Sequence, residues 1–187
     1  MAAAYAVRTA TLGDGVAVAG VYAPFVRDTA VSFEELPPSG DIMAQRIAAT
    51  LPMYPYLVAE GAAGVVGYAY AGAHSERASY RWSVNVAVYI APSAHRQGVG
   101  RALYGRLLDI LTAQRFRSAF AGITLPNPAS VGLHEAMGFT PVGVYREVGY
   151  KFGQWRDVGW WRRTLAADSA PLEPIPFVEF AARLTSS

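Results

Sequence analysis

The chain of 187 residues contains no cysteine. That excludes a disulfide framework, a thiolate zinc site and any mechanism that parks an acyl group on a cysteine. Lysine is almost as scarce: Lys151 is the lone example, and the remaining cations are arginines. With 16 Lys+Arg against 14 Asp+Glu the formal charge is only +2, too even a balance to argue for nucleic acid as a partner. Long apolar runs are missing as well. The longest, residues 61–73, is rich in glycine and falls short of the roughly 20 residues a membrane-spanning helix needs, so no membrane partner is expected. Residues 1–8 show no cationic stretch followed by an apolar one, which sets the cytoplasm as the expected compartment. What is abundant is apolar material, 52% hydrophobic against 16% charged, the composition of a globular protein. The length suits a single domain over residues 1–165, with residues 166–187, loose and proline-bearing at first, as a C-terminal extension.

Periodicity supplies a coarse order. Residues 5–10 alternate as a strand, and Asp14 offers an N-cap to a helix carrying Val16, Val18, Val21 and Tyr22. After the turn at residues 36–40, Asp41 can start a second helix that Pro52 and Pro55 end. Residues 56–60 and 65–73 read as a hairpin, and residues 82–90 as a strand with one apolar and one partly polar face. Leu103, Leu107 and Leu111 recur at helical spacing. A short strand at 119–125, a helix opened by Asn127-Pro128 and closed by Gly138, and two strands at 142–150 and 157–164 around Gly153 complete the order. This is an α/β (α+β) arrangement on a single mixed sheet.

Residues 88–103 carry the clearest chemistry. A strand runs into a tight loop with Gly98 and Gly100 and then into a helix. Such a loop presents successive backbone N–H groups at the positive end of a helix dipole, with no Cβ in the way, and Arg96 and Arg101 can add charge: together a pyrophosphate site. The missing third glycine separates it from a dinucleotide fingerprint, and the absence of Gly-Lys-Ser/Thr from a Walker A loop. A plain strand-to-helix turn is the simpler alternative.

The loop resembles the acetyl-CoA pyrophosphate loop of the GNAT superfamily, Gln/Arg-x-x-Gly-x-Gly/Ala, with His95 where that pattern has Gln or Arg. Residues 79–90, 125–139 and 149–161, the second reading Leu-Pro-Asn-Pro-Ala-Ser-Val-Gly-Leu-His-Glu-Ala-Met-Gly-Phe, narrow the resemblance to the phosphinothricin and methionine sulfoximine acetyltransferase branch. It implies the GNAT fold: a mixed, mostly antiparallel twisted sheet flanked by about four helices, with acetyl-CoA in the cleft between splayed fourth and fifth strands. No metal is implied. Val88, Tyr89 and Ile90 would pair their backbone with pantetheine, Arg96, Gln97, Gly98, Val99, Gly100 and Arg101 would hold pyrophosphate, and Asn127 and Ser130 would meet the pantetheine arm.

His134 stands where many GNAT enzymes place a tyrosine that protonates the departing thiolate, proton work that imidazole can do near neutrality; a hydrogen-bonded structural histidine is the alternative. His74 has a weaker claim as a pocket-lining residue and His95 as a loop residue. Asn85 departs from the pattern, because the branch has a glutamate there to take the acceptor's ammonium proton and an amide cannot. The proton route is then open among water held by Asn85, a carboxylate of Glu34, Glu35 or Glu76, and His134; alternatively Asn85 caps a bulge and solvent takes the proton. Phe33 and Glu34 resemble the border of the branch's acceptor site. Glu76, Arg77, Tyr80 and Arg81 are further acceptor candidates, since arginine presents a planar fork to oxyanions. The expected activity is direct acetyl transfer to the amine of a small amino-acid-like molecule, by a homodimer whose aromatic C-terminal strands meet. An acyl-CoA sensor without turnover and a protein N-terminal or lysine acetyltransferase are the alternatives.

Overall fold

The computed structural model describes residues 5–167 and 170–185. Seven strands form one sheet, β1 (Tyr5–Thr9), β2 (Tyr56–Gly61), β3 (Gly64–Ala73), β4 (Ser83–Ile90), β5 (Ser118–Leu125), β6 (Thr140–Lys151) and β7 (Gln154–Thr164), in the order β1-β2-β3-β4-β5-β7-β6. All pairings are antiparallel except that of β4 with β5. Strand alternation sorts the side chains onto two faces. Tyr56, Val58 and Tyr68 bury against α1 (Gly15–Arg27) and α2 (Gly40–Thr50), among Val18, Tyr22, Met43 and Ile47. Leu57, Ala59, Ala69, Val84 and Val86 bury on the other face against the leucines of α3 (Val99–Ala113), which α4 (Pro128–Ala136) accompanies.

The parallel pair positions the site. Only Ser83↔Ser118, Val84↔Ala119 and Asn85↔Phe120 are in register, although β4 continues to Ile90 and β5 to Leu125. Beyond Asn85 the two strands diverge into a V, β5 being held on its other side by eight consecutive partners on β7.

Several expectations change in detail. Ser39, not Asp41, caps α2, accepting from Ile42 N at 3.3 Å. Asp14 precedes α1, but its carboxylate turns back instead of capping that helix: it accepts from Thr11 N at 2.7 Å and from both terminal nitrogens of Arg8 at 2.8 Å. These bonds lower its pKa from 3.8 to about 2. A folded-state pKa below the unfolded one stabilises above the unfolded value, and the gain is lost as pH falls through the folded value. Asp14→Asn is therefore expected to cost about 2 kcal/mol at pH 7. Urea melts should show the gap to the parent narrowing between pH 4 and pH 2.

Five helices are present where about four were expected. The fifth, α5 (Phe177–Thr185), belongs to the C-terminal extension, whose residues 168, 169, 186 and 187 lie outside the described ones, as do residues 1–4. Its described part is tied down. Phe177 is buried in the α3-side core, Gln114 Nε2 donates to Met53 O and Ile175 O at 3.0 and 2.7 Å, and Trp82 Nε1 donates to Leu172 O at 2.8 Å. The hairpin β6–β7 turns through Phe152 and Gly153, both left-handed at φ 53° and 73°, the backbone a two-residue type I′ turn requires.

Candidate active site

The loop ahead of α3 has a left-handed backbone at two positions. Gly98 caps the helix at φ 81°, and Arg96, a non-glycine, sits at φ 60°, so consecutive N–H groups converge on a concavity at a helix N-terminus. His95 lines the cleft and also braces the loop: its Nε2 meets Ile90 O at 3.0 Å, pinning the loop to β4. Gln97 turns away, donating to Ser93 O at 2.8 Å. A cleft of about 560 Å³ opens from this loop. Its walls include Val88, Tyr89, Ile90, Arg96, Gly98, Val99, Gly100, Arg101, Asn127 and Ser130, all the expected cofactor residues apart from Gln97. Phe25, Val31 and Leu133 also line it, none of them a cofactor residue by the sequence pattern. A cationic nest at one end and an apolar wall beyond it match acetyl-CoA, whose pyrophosphate and pantetheine need those surroundings in that order. A separate open depression of about 500 Å³ beside Met137, Arg162 and Arg163 shares none of these residues.

Deeper in, the V narrows to a slot of about 60 Å³ between Val86, Ala87 and Val88 of β4 and Gly122, Ile123 and Thr124 of β5. Gly122 leaves room on its strand: a Cβ there would press on the Trp160 ring at 3.3 Å. His134 and Tyr104 close the slot on the α3 and α4 side. His134 is 3% exposed. Its Nδ1 lies 2.7 Å from Ser130 O, an obligate acceptor, so the ring proton is on Nδ1, and Nε2 accepts from the Tyr104 hydroxyl at 2.8 Å. Both nitrogens are thus engaged, and burial lowers the imidazole pKa. Burial also pushes the Tyr104 phenol far up. Tyr104 went unnoticed in the sequence because it sits among the leucines of an ordinary amphipathic helix. Asn127 caps α4 as expected, accepting from Ser130 N at 3.1 Å.

On the face of β4 that Tyr89 turns toward α1 and α2, Asn85 stands at the closed end of the V. The β3–β4 register runs unbroken through Gly72↔Asn85, so Asn85 caps no bulge. Its Oδ1 is 2.9 Å from His74 Nδ1. The loop over this side carries Val31, Phe33 and Glu34. Lys151, 8% exposed, holds it by donating to the carbonyls of Val26, Ser32 and Glu34 at 2.6, 2.7 and 2.8 Å. Phe33 lies so closely over Gly149 that a Cβ there would run into its ring. The Glu34 carboxylate is taken up by Arg46 at 2.8 and 2.9 Å and by the Tyr22 hydroxyl at 3.0 Å, which lowers its pKa through the Arg46 bonds first. Glu35 is exposed on the same loop.

The β3–β4 connection brings Tyr80 within 5.8 Å of the His74 ring, centroid to centroid, with Glu76 and Arg77 exposed beside it. Arg81 departs from its expected place: its guanidinium grips the Glu173 carboxylate at 2.7 Å and stacks on Trp82, tying the C-terminal extension down instead of facing an acceptor.

No helix among the described residues is long and apolar enough to cross a membrane, and no group of His, Cys, Asp and Glu among them is arranged to hold a metal ion. Residues 7–160 match the acetyltransferase (GNAT) domain family. The phosphinothricin N-acetyltransferase of Streptomyces viridochromogenes is 39% identical over 171 residues, 90% of this chain and 93% of the relative. The L-methionine sulfoximine/L-methionine sulfone acetyltransferase of Salmonella typhimurium is 33% identical over 166 residues, 88% of this chain and 97% of that one. The crystal structure of a GNAT superfamily phosphinothricin acetyltransferase from Sinorhizobium meliloti, solved in complex with acetyl-CoA, superposes with a TM-score of 0.85 at 35% identity, covering 92% of this chain and 94% of that one. A phosphate nest, a splayed parallel strand pair and a matching sequence over nearly the whole domain lead to one conclusion: this chain belongs to the GNAT acetyltransferase family.

Proposed function

We propose that the protein transfers the acetyl group of acetyl-CoA directly to the primary amine of a small amino-acid-like acceptor of the phosphinothricin, methionine sulfoximine or methionine sulfone type. The observation that carries this reading is the slot through the V, which shares Val31, Val88, Tyr89, Asn127 and Ser130 with the larger cleft, while Tyr80, Phe120 and Trp160 gather around the His74 ring near the closed end of the V. Backbone groups of β4 beyond Asn85 are free of β5 and available to polarise the thioester carbonyl. Tyr104 and His134, hydrogen-bonded to each other at 2.8 Å, line the slot together, and this pair is the one we assign to the departing sulfur. Arg77 makes no ion pair among the described residues, which leaves its fork for the acceptor's oxyanion.

A small-molecule acceptor agrees with the names of the relatives. Incubation with acetyl-CoA and each of the three acceptors is expected to release free thiol in proportion to acetylated product. Tight acetyl-CoA binding with no thiol release from any of them would instead identify a sensor, and acetylated protein in a lysate would identify a protein acetyltransferase.

The reading includes a homodimer working in the cytoplasm. Edge strand β6 and its hairpin turn leave Val142, Tyr145, Val148, Tyr150 and Phe152 more than half exposed, with Trp155 beside them. A contiguous apolar edge of this kind calls for a partner surface. Light scattering on the eluting protein should give the mass of two chains.

A further inference from the structure

Resting on that reading, we infer that His74 is the general base of the reaction and that Asn85 is its positioning residue, the pair standing in for the glutamate that position 85 lacks. The inference begins with the hydrogen bond between His74 Nδ1 and Asn85 Oδ1, 2.9 Å long. The Asn85 amide is oriented by its own Nδ2, which donates to Ala73 O at 3.4 Å and so turns Oδ1 toward the ring. An amide oxygen only accepts; His74 therefore carries its proton on Nδ1, and Nε2 keeps a lone pair. An asparagine that cannot take a proton thus prepares a neighbour that can.

Position supports the role. Asn85 and Phe120 form the last parallel pair before β4 and β5 part, and the His74 ring stacks on Phe120 with centroids 4.4 Å apart. The imidazole therefore lies over the apex of the V. Ala87, which lines the slot, is two residues further along the same face, about 7 Å at strand rise. His74 is half-buried, so a proton it accepts can pass on to solvent. Ring partners come from three other elements: Phe120 of β5, Trp160 of β7 at 6.4 Å and Tyr80 of the β3–β4 connection. Of these only Tyr80 is titratable, while Glu76 and Arg77 follow His74 on its own loop, both exposed. No carboxylate replaces the imidazole among its hydrogen-bond partners: Glu34 is committed to Arg46 and Tyr22.

The proton count closes. The acceptor ammonium gives one proton to His74 Nε2, and the freed lone pair forms the C–N bond to the thioester carbon. The C–S bond breaks with its electron pair going to sulfur, and the second N–H proton ends on the thiolate, giving the amide and free CoA thiol. His74 then returns its proton to water.

The test compares the parent with His74→Gln, and with Asn85→Leu as a second variant that leaves the ring in place. The parent must first release thiol with an amine acceptor; if it does not, the transferase reading itself falls. Given turnover, His74→Gln is expected to lower kcat/KM for the acceptor about a hundredfold at pH 7. Asn85→Leu should lower it about tenfold, the scale of a mutated orienting partner, and the KM for acetyl-CoA should stay within twofold of the parent's. The His74→Gln deficit should shrink as pH rises toward the acceptor's own ammonium pKa, where deprotonation needs no base. A His74→Gln enzyme within threefold of the parent at pH 7, or a deficit equal at every pH, would overturn the assignment while leaving acetyl transfer intact.

Discussion

Lys151→Met is expected to lower the unfolding free energy by about 4 kcal/mol, the scale on which a buried charged network fails when one member is removed. The ammonium group donates to three carbonyls, of Val26, Ser32 and Glu34, all within 2.8 Å. These belong to the end of α1 and to the loop over the acceptor side, and Lys151 reaches them from the last residue of β6. Methionine keeps most of the stem's packing and supplies no donor, so three carbonyls compete for water in a site from which water is largely excluded, at a cost of roughly 1–3 kcal/mol for each fully buried one. For a chain of this size the melting midpoint should fall by about 8 to 16 °C. Lys151→Arg should recover only part of the loss, because a planar fork cannot point its donors at three converging carbonyls as a tetrahedral ammonium does. The kinetic signature separates this from a general loss of folded protein. With the loop released, Val31, Phe33 and Glu34 lose their station, so the acceptor KM should rise at least tenfold, the scale of lost substrate positioning. The KM for acetyl-CoA, set mainly by the nest at Gly98, should change little. Equal increases in both would show that the clamp is not specific to the acceptor side.

How much of this was legible in the sequence depended on how local each feature is. The pyrophosphate loop was legible because its chemistry is carried by consecutive residues: two glycines and two arginines within a strand-to-helix turn admit few backbone courses. The Asn127 cap and the Gly138 stop were legible for the same reason. The hairpin of β2 and β3 was placed within a residue or so by its glycine tip. What sequence alone withheld is non-local. His74 and Asn85 are eleven positions apart and meet only through the β3–β4 register and the shape of the connection between them. Tyr104 and His134 come from two helices, and each looked complete in its own pattern, one as part of a leucine-rich stripe and the other as a family motif. Lys151 stood out as the lone lysine, yet its partners lie 117 to 125 residues away. The packing of the C-terminal extension was hidden for a related reason. Its prolines and small residues gave no periodicity to read, while the contacts that hold it, Gln114 with Ile175 and Arg81 with Glu173, are fixed by the fold of the preceding domain.

The same dependence governs which candidate residues reached the site. Glu34 and Arg81 had the right chemistry for an acceptor and found other partners first, Arg46 and Glu173. An ionised side chain with a bidentate partner is already satisfied, so a ligand must displace that partner before binding. Arg77 and His74, with nothing charged to hold them among the described residues, keep their capacity for a ligand. On the proposed reading, partner competition among like residue types, more than residue identity, separates the candidates left for a ligand from those already committed.

Tyr104 and His134 are expected to act as one unit, with a larger kinetic effect than the loss of the Lys151 clamp. Tyr104→Phe removes the hydroxyl at the wall of the slot. His134→Asn keeps a donor near Ser130 O but withdraws the acceptor that fixes the Tyr104 hydroxyl. If that hydroxyl gives its proton to the sulfur as the C–S bond breaks and takes the acceptor's second N–H proton in its place, either substitution should lower kcat by about a hundredfold or more, the usual range for a positioned proton-transfer group. The double variant should be scarcely worse than either single one, since removing the second member of a unit takes away nothing further. The alternative, in which His134 donates to the thiolate itself, predicts a different pattern: Tyr104→Phe would free Nε2 and leave kcat within a few fold of the parent, while His134→Asn alone would carry the loss. The burial of both rings argues for the unit. Burial moves the imidazole pKa down and the phenol pKa up, which favours the neutral form of each, so any acidic limb that His134 gives to kcat should be displaced below the pH of an ordinary imidazole. Stopped-flow measurement of thiol release over pH 5 to 8, with saturating acetyl-CoA, reads the size of each loss and that limb together.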